Sequence, residues 1–396
     1  MTALGTRPTA NPSLATRLTL IATGLMTILA GATIAPAIPE IREVFADHDR
    51  VRLLSAMVLS THAIAIVAVS PPAGILVDRW GRKPMLLTGL ALIALGGSSG
   101  AWLPNLEAIL AGRLVLGAGV AFVMTSATTL IADLFDGEAR QRLMGQQLAA
   151  STVGGMAFIL GGGALAALQW RVAFLIYLVA AVLLIAAAVT VPIVRTGAGR
   201  DTAAEPGPAR LRPLLLAPLA AALLSQAVFY TIPTQLPSFL AGRFGFNPFE
   251  AALVLTVTSA VSLPIALNFH RVRRLLGPVG VTVFAFASMA TGLLVLSRAA
   301  AVWVVVLALV CFALGMSTLM PNLNSWTAAL ADGPVRGRAM GLLGSTLFAG
   351  QFLSPIATQP VIDRIGLQPT LAALAAAAAL VGAAYATARR RLAPAP

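Results

Sequence analysis

Charge is scarce in this sequence. Only 10% of its 396 residues are Asp, Glu, Lys or Arg, against roughly a quarter in a soluble protein. A chain with so little polar surface cannot face water on every side. With 58% of residues hydrophobic, its main solvent is lipid. Acids are rarer than bases, 14 against 27. Cysteine occurs once, at Cys311, which excludes a disulfide within the chain and a cysteine metal cluster. The three histidines, His48, His62 and His270, are too scattered to suggest a metal site. No stretch reads Gly-x4-Gly-Lys-Ser/Thr, so no P-loop is expected to cradle ATP. Ser-His-Asp pairings have no local support. No cofactor is expected, and no catalytic constellation marks an enzyme. Sustained apolar/polar alternation is also missing, which argues against a β-barrel.

What is present is a series of long apolar runs. A bilayer core of about 30 Å takes about 20 residues of helix. Twelve runs qualify: 17–38, 53–77, 84–103, 107–131, 141–165, 171–194, 213–240, 248–269, 278–297, 301–328, 337–361 and 368–388. The expected fold class is an all-α polytopic membrane protein with twelve transmembrane helices. Ala35-Pro36-Ala37 has the form of a signal-peptidase site. The apolar run before it is long for a signal sequence and Pro39 follows, so it is read as part of the first span.

A net charge of +13 raises the question of nucleic acid. Placement answers it. With both termini on one side, 19 of the 27 Lys and Arg fall on that side, seven fall opposite, and Arg113 lies within a span. This is the positive-inside pattern and makes both termini cytoplasmic. The basic charge thus reports topology, with lipid headgroups as a secondary partner and no nucleic acid.

The segment 195–212, RTGAGRDTAAEPGPARLR, is the longest non-apolar interior stretch. It separates an N-terminal bundle, 1–194, from a C-terminal bundle, 213–396, six helices each. The halves repeat. DGEARQRLMG at 136–145 matches DGPVRGRAMG at 332–341 in six of ten positions. Ser70, Pro72, Arg79 and Arg82 recur 192 residues on as Ser262, Pro264, Arg271 and Arg274. A parallel repeat of two six-helix bundles is a transporter architecture.

GILVDRWGRKP, residues 74–84, sets four charges between two nearly uncharged runs. It resembles the signature of the major facilitator superfamily between helices 2 and 3, here Gly74, Asp78, Arg79, Gly81, Arg82 and Lys83. The run 111–119, AGRLVLGAG, resembles that family's helix-4 motif. In helix 5 the paired glycines of its drug–proton antiporters are kept, but Ala157-Phe158 stands where Gly-Pro is expected. The resemblance implies a monomeric carrier working by alternating access. It implies that Asp78 docks at the start of helix 11 when the cytoplasmic side is closed, while Arg82 meets an acid at the inner end of helix 4, here Asp133. A purely topological role for the loop would need neither Asp78 nor Gly81.

Ionisable groups at lipid depth are functional candidates, because burying them is costly. Arg113 lies about 9 Å into helix 4 and His62 about 15 Å into helix 2 at ~1.5 Å per residue. Glu40 closes helix 1. None of the 14 acids lies mid-span. Arg113, Glu40 and His62 are therefore the candidates for transport or proton coupling. Each also has a structural reading: carbonyl satisfaction, a neutral hydrogen-bonded ring and a solvated helix end. Gln226, Tyr230, Gln235, Asn322, Asn324, Trp326 and Gln351 gather in helices 7, 10 and 11. They join helices to one another or face a water-filled cavity. The resemblance puts helices 1, 4, 7 and 10 around the central cavity, making Gln226, Tyr230, Asn322 and Asn324 substrate candidates.

The function expected is secondary transport of a small organic molecule across a bacterial inner membrane, with efflux first and protons as the candidate coupling ion. Uptake of a sugar, amino acid or organic acid is the alternative within transport. A transporter-like sensor is the alternative outside it.

Overall fold

The computed structural model describes residues 12–193, 213–331 and 335–392. The 195–212 linker and the Asp332-Gly333-Pro334 turn of the repeat lie outside the described residues. No strand occurs among the described residues, and twelve helices carry the chain back and forth. They are α1 (Leu14–Val44), α2 (Val51–Trp80), α3 (Arg82–Ala101), α4 (Leu106–Leu134), α5 (Gly137–Ala166) and α6 (Trp170–Thr190). Then follow α7 (Pro213–Phe244), α8 (248–276), α9 (278–297), α10 (Val302–Leu330), α11 (Arg336–Ile365) and α12 (Leu367–Thr387).

Helix is what apolar runs must form where no water can satisfy the backbone. Polar residues at the loop edges start several of them. Ser13 accepts from the Thr16 amide at 3.1 Å and Asn105 from the Ala108 amide at 2.9 Å. Asn247 and Glu250 cap each other's backbone ahead of α8, with Pro248 at the first helical position, where its missing N–H costs nothing.

Two spans differ from their sequence reading. α1 was expected to end at 38. It narrows to a 3-10 turn over Ala32–Ala37, containing Pro36, and resumes as α-helix over Ile38–Val44. Glu40 therefore sits inside a further helical turn. α8 was expected to stop at 269, before the arginines, but it continues to Gly277. Gly277, at φ 67°, breaks the helix in a conformation open to a residue without Cβ. Polarity had marked Arg271, Arg273 and Arg274 as loop, yet long cationic side chains reach water from a helix end.

The first six helices pack together, α4 against α2 and α3, and α1 against α5 and α6. In the last six, α7 packs on α11, α10 on α8 and α9, and α12 on α9. Between the two groups, α2 meets α11 and α5 meets α8. The side bearing the α2–α3 connection is called the basic face below, and the other the far face. The main apolar core runs through the first group and on into the far-face parts of α7, α8 and α10. A second core, around Phe286, Trp326 and Tyr385, belongs to the last group alone. The groups are thus cemented on the far face. On the basic face, a Cβ added at Gly74, Gly145, Gly341 or Gly344 would meet nothing within 4 Å.

Candidate functional site

At the basic face, α2 and α3 are joined by Gly81 alone, at φ 97°. A side chain there would be strained, and the tight joint sets Arg82 at the start of α3. Arg82 Nε donates to Asp133 Oδ2 of α4 at 3.0 Å. Lys83 Nζ donates to the Ala188 carbonyl at 2.7 Å, near the C-terminal end of α6, where a cation suits the helix dipole. Asp78 is different. Its side chain is 75% exposed, and the salt bridge it makes is a 3.7 Å contact with Arg82 on the next turn. It lies at a helix C-terminus, which disfavours an acid.

In the first third of α4, Arg113 is 1% exposed. Its guanidinium lies 4.8 Å from the Phe174 ring centre and 4.7 Å from that of Tyr177. Such stacking attracts a cation through the ring quadrupole and replaces part of its lost hydration. All three of its guanidinium nitrogens are buried, and the Tyr177 side chain is their polar neighbour. His62 is buried close by, with α4 pressed to its carbonyl: a Cβ at Gly117, one turn from Arg113, would come within 2.1 Å of it. Glu40 is not part of this group; its partner is the Trp170 backbone.

The polar residues of the last six helices sort into two sets. Gln351 Nε2 donates to Gln226 Oε1 at 3.4 Å, and Gln226 Nε2 approaches Met320 Sδ at 3.6 Å. Tyr230 faces Gly31, where α1 changes pitch. Asn324 is exposed one turn beyond Met320 and, among the described residues, bonds its own helix at the Met320 carbonyl. Asn322 goes elsewhere. It is fully buried, and its amide donates to the Pro278 carbonyl at 2.8 Å and to Thr282 Oγ1 at 3.2 Å. Its side chain fastens α10 to α9.

Of a third polar group, only Gln235 stood out in the sequence. Arg42 of α1 donates to Ser55 of α2 at 3.0 Å, to Ser238 of α7 at 3.0 Å and to Gln235 Oε1 at 3.4 Å. Gln235 Nε2 donates to Gln359 Oε1 at 2.8 Å, and Gln359 Nε2 to Asp363 Oδ1 at 2.9 Å. Arg52 NH1 reaches the same Asp363 oxygen at 3.3 Å. The partners lie up to 311 residues apart. The one local signal was Gln359 and Asp363, four apart on one helix face.

A multi-pass membrane protein of twelve helices, joined across its two groups on one face and uncovered on the other, has the build of a carrier with a central passage. Known proteins agree. The family model of the Major Facilitator Superfamily matches residues 20–355. Multidrug resistance protein 1 of Bacillus subtilis (strain 168) is 25% identical over 304 residues, 74% of this chain and 77% of its own. The class G tetracycline resistance protein of Vibrio anguillarum is 28% identical over 340 residues, 80% of this chain and 84% of its own. A bacterial homolog of the human lysosomal transporter Spinster, crystallised in an inward-facing and occupied conformation, superposes with a TM-score of 0.79 at 15% identity, over 96% of this chain and 98% of its own. The chain belongs to the Major Facilitator Superfamily. It is a transporter and not an enzyme.

Proposed function

We propose that the protein exports neutral or amphipathic organic molecules across a bacterial inner membrane, with both termini in the cytoplasm. The basic face is then cytoplasmic, as its excess of Lys and Arg requires, and the conformation described is inward-facing. The groups 1–194 and 213–396 move as two bodies about the passage between them. Protons are the coupling ion, taken up through Glu40 or His62 with Arg113 close to the latter.

The observation that carries the substrate class is the chemistry between α7, α10 and α11. Gln226, Gln351 and Asn324 offer amides, Tyr230 an aromatic hydroxyl and Met320 a polarisable thioether. No acid or base stands among them. Apolar walls with a few placed polar groups suit small organic ligands, and Met adapts to ligands of different shape. The two resistance proteins are relatives by sequence over most of this chain, which supports export over uptake.

Accumulation of a panel of amphipathic dyes and antibiotics, in cells with and without the protein, tests the reading. Lower accumulation that is lost on adding an uncoupler is expected. Raised accumulation would establish an uptake carrier instead, and no flux in purified vesicles would establish a sensor.

A further inference from the structure

The hydrogen bonds from Arg42 to Asp363 run in one order. An arginine has donors only, so Gln235 must turn its carbonyl oxygen toward Arg42. Its amide nitrogen then faces Gln359, whose carbonyl accepts and whose nitrogen donates to Asp363. A carboxylate accepts only. Both glutamines are thus oriented from both ends, by a cation on α1 and an anion on α11. Arg52 of α2 closes the series on the same carboxylate. Of the four helices, α1 and α2 belong to the first group and α7 and α11 to the second. Gln235 and Gln359 are buried, at 4% and 1% exposure, so an unmatched amide there would lack water to replace its partner.

We propose that Arg42, Gln235, Gln359 and Asp363, with Ser55, Ser238 and Arg52 at their edges, form an ordered lock that holds the far face shut. Arg42 is its central bolt. Each of its three nitrogens finds a neutral oxygen, and two of those oxygens belong to the opposite group. Opening the far face must pull Arg42 away from α7 and break the order of amides behind it. The lock acts against Asp78, which is exposed in this conformation and free to dock only when the basic face closes. The two faces then compete, each holding the other open. This proposal concerns the gate and is independent of what passes through it.

The test uses the full chain, with Cys311 replaced by serine, in lipid nanodiscs. Spin labels at Asp49→Cys and Gln368→Cys report the far face. Labels at Glu138→Cys and Leu275→Cys report the basic face. Arg42→Gln is expected to raise the ratio of far-open to far-closed molecules by about 5- to 150-fold, the range of typical coupling energies. The far-face distance lengthens and the basic-face distance shortens. Gln235→Leu should do the same, and the two together should do less than the product of their separate effects, since both break one series. Should Arg42→Gln fail to insert, Ser55→Ala with Ser238→Ala removes two of its acceptors and serves in its place. Unchanged distances in these variants, or effects that simply multiply, would overturn the lock.

Discussion

Arg82 Nε stands 3.0 Å from Asp133 Oδ2, and the two side chains are similarly hidden, at 15% and 13% exposure. The pair ties the α2–α3 joint to α4 within one helix group, so it fixes the motif's position without bridging the passage. Arg82→Ala should therefore weaken the fold. A loss of about 2–3 kcal/mol is expected, short of the ~3–5 kcal/mol of a fully buried pair broken on one side. Thermal unfolding of the purified variant measures it. An unchanged melting temperature would show that the joint holds without the pair.

Asp78 bears the opposite expectation. Its side chain contributes little to this conformation, so Asp78→Asn should leave insertion and thermal stability near normal. Transport should slow severely, because the closed basic face loses about 1–2 kcal/mol of stabilisation. Distance measurements between the basic-face ends of α2 and α11 should show a longer mean. Near-normal transport with the same distance distribution would remove Asp78 from the gating mechanism.

Asn322 and Asn324 are two residues apart and should behave differently. Asn322→Leu removes the amide donor to the Pro278 carbonyl, which keeps the Thr282 hydroxyl as a donor, and to Thr282 Oγ1, and should cost about 1 kcal/mol of stability. Its substrate profile should survive in whatever protein folds. Asn324→Leu and Gln226→Leu should spare stability and change which compounds are carried. A shifted profile in Asn322→Leu at full stability would return that residue to the passage.

Coupling can be tested at Glu40 and His62. Arg113→Ala should abolish transport, since it removes the cation held between Phe174 and Tyr177. Glu40→Gln with His62→Gln should remove the dependence of transport on pH. If that double variant keeps its pH response, protons enter by another group or the carrier is not proton-driven.

Topology has a direct assay. In a background lacking Cys311, a cysteine placed within 195–212 should resist a membrane-impermeant thiol reagent in intact cells, and one at Asn247 should react. Labelling of the linker in sealed cells would reverse the orientation.

The sequence was most readable where physics is local. Lipid forces each apolar run into a helix, so twelve runs became twelve spans. Gly81 and Arg82 could be read as a tight joint because turn and helix start are neighbours in the chain. The break of α1 after Gly31 was not legible: Ala, Ile and Pro satisfy the same hydropathy as straight helix, and the change of pitch depends on Gly162 packing against the Thr33 carbonyl. Arg42 and Asp363 looked like ordinary loop-edge charges for a similar reason. Gln235 lies 193 residues from Arg42 and 124 from Gln359, and nothing in a linear pattern brings them together. Asn322 and Asn324 show a finer limit. Both are amides in an apolar helix, but a rotation of about 200° over two residues sends them to different neighbours.

The ion pairs at the two faces differ in their exposure to dissolved salt. Arg52 and Asp363 are 66% and 43% exposed, whereas Arg82 and Asp133 are largely covered. At ~0.15 M ionic strength, charges in open water are screened beyond about 8 Å, and an exposed pair contributes little, while a covered pair is screened much less. Ionic strength should therefore act on one of these two anchors and spare the other. A salty medium bathing the far face loosens the Arg52 end of the closure, and the same salt at the basic face leaves the Arg82 anchor almost untouched.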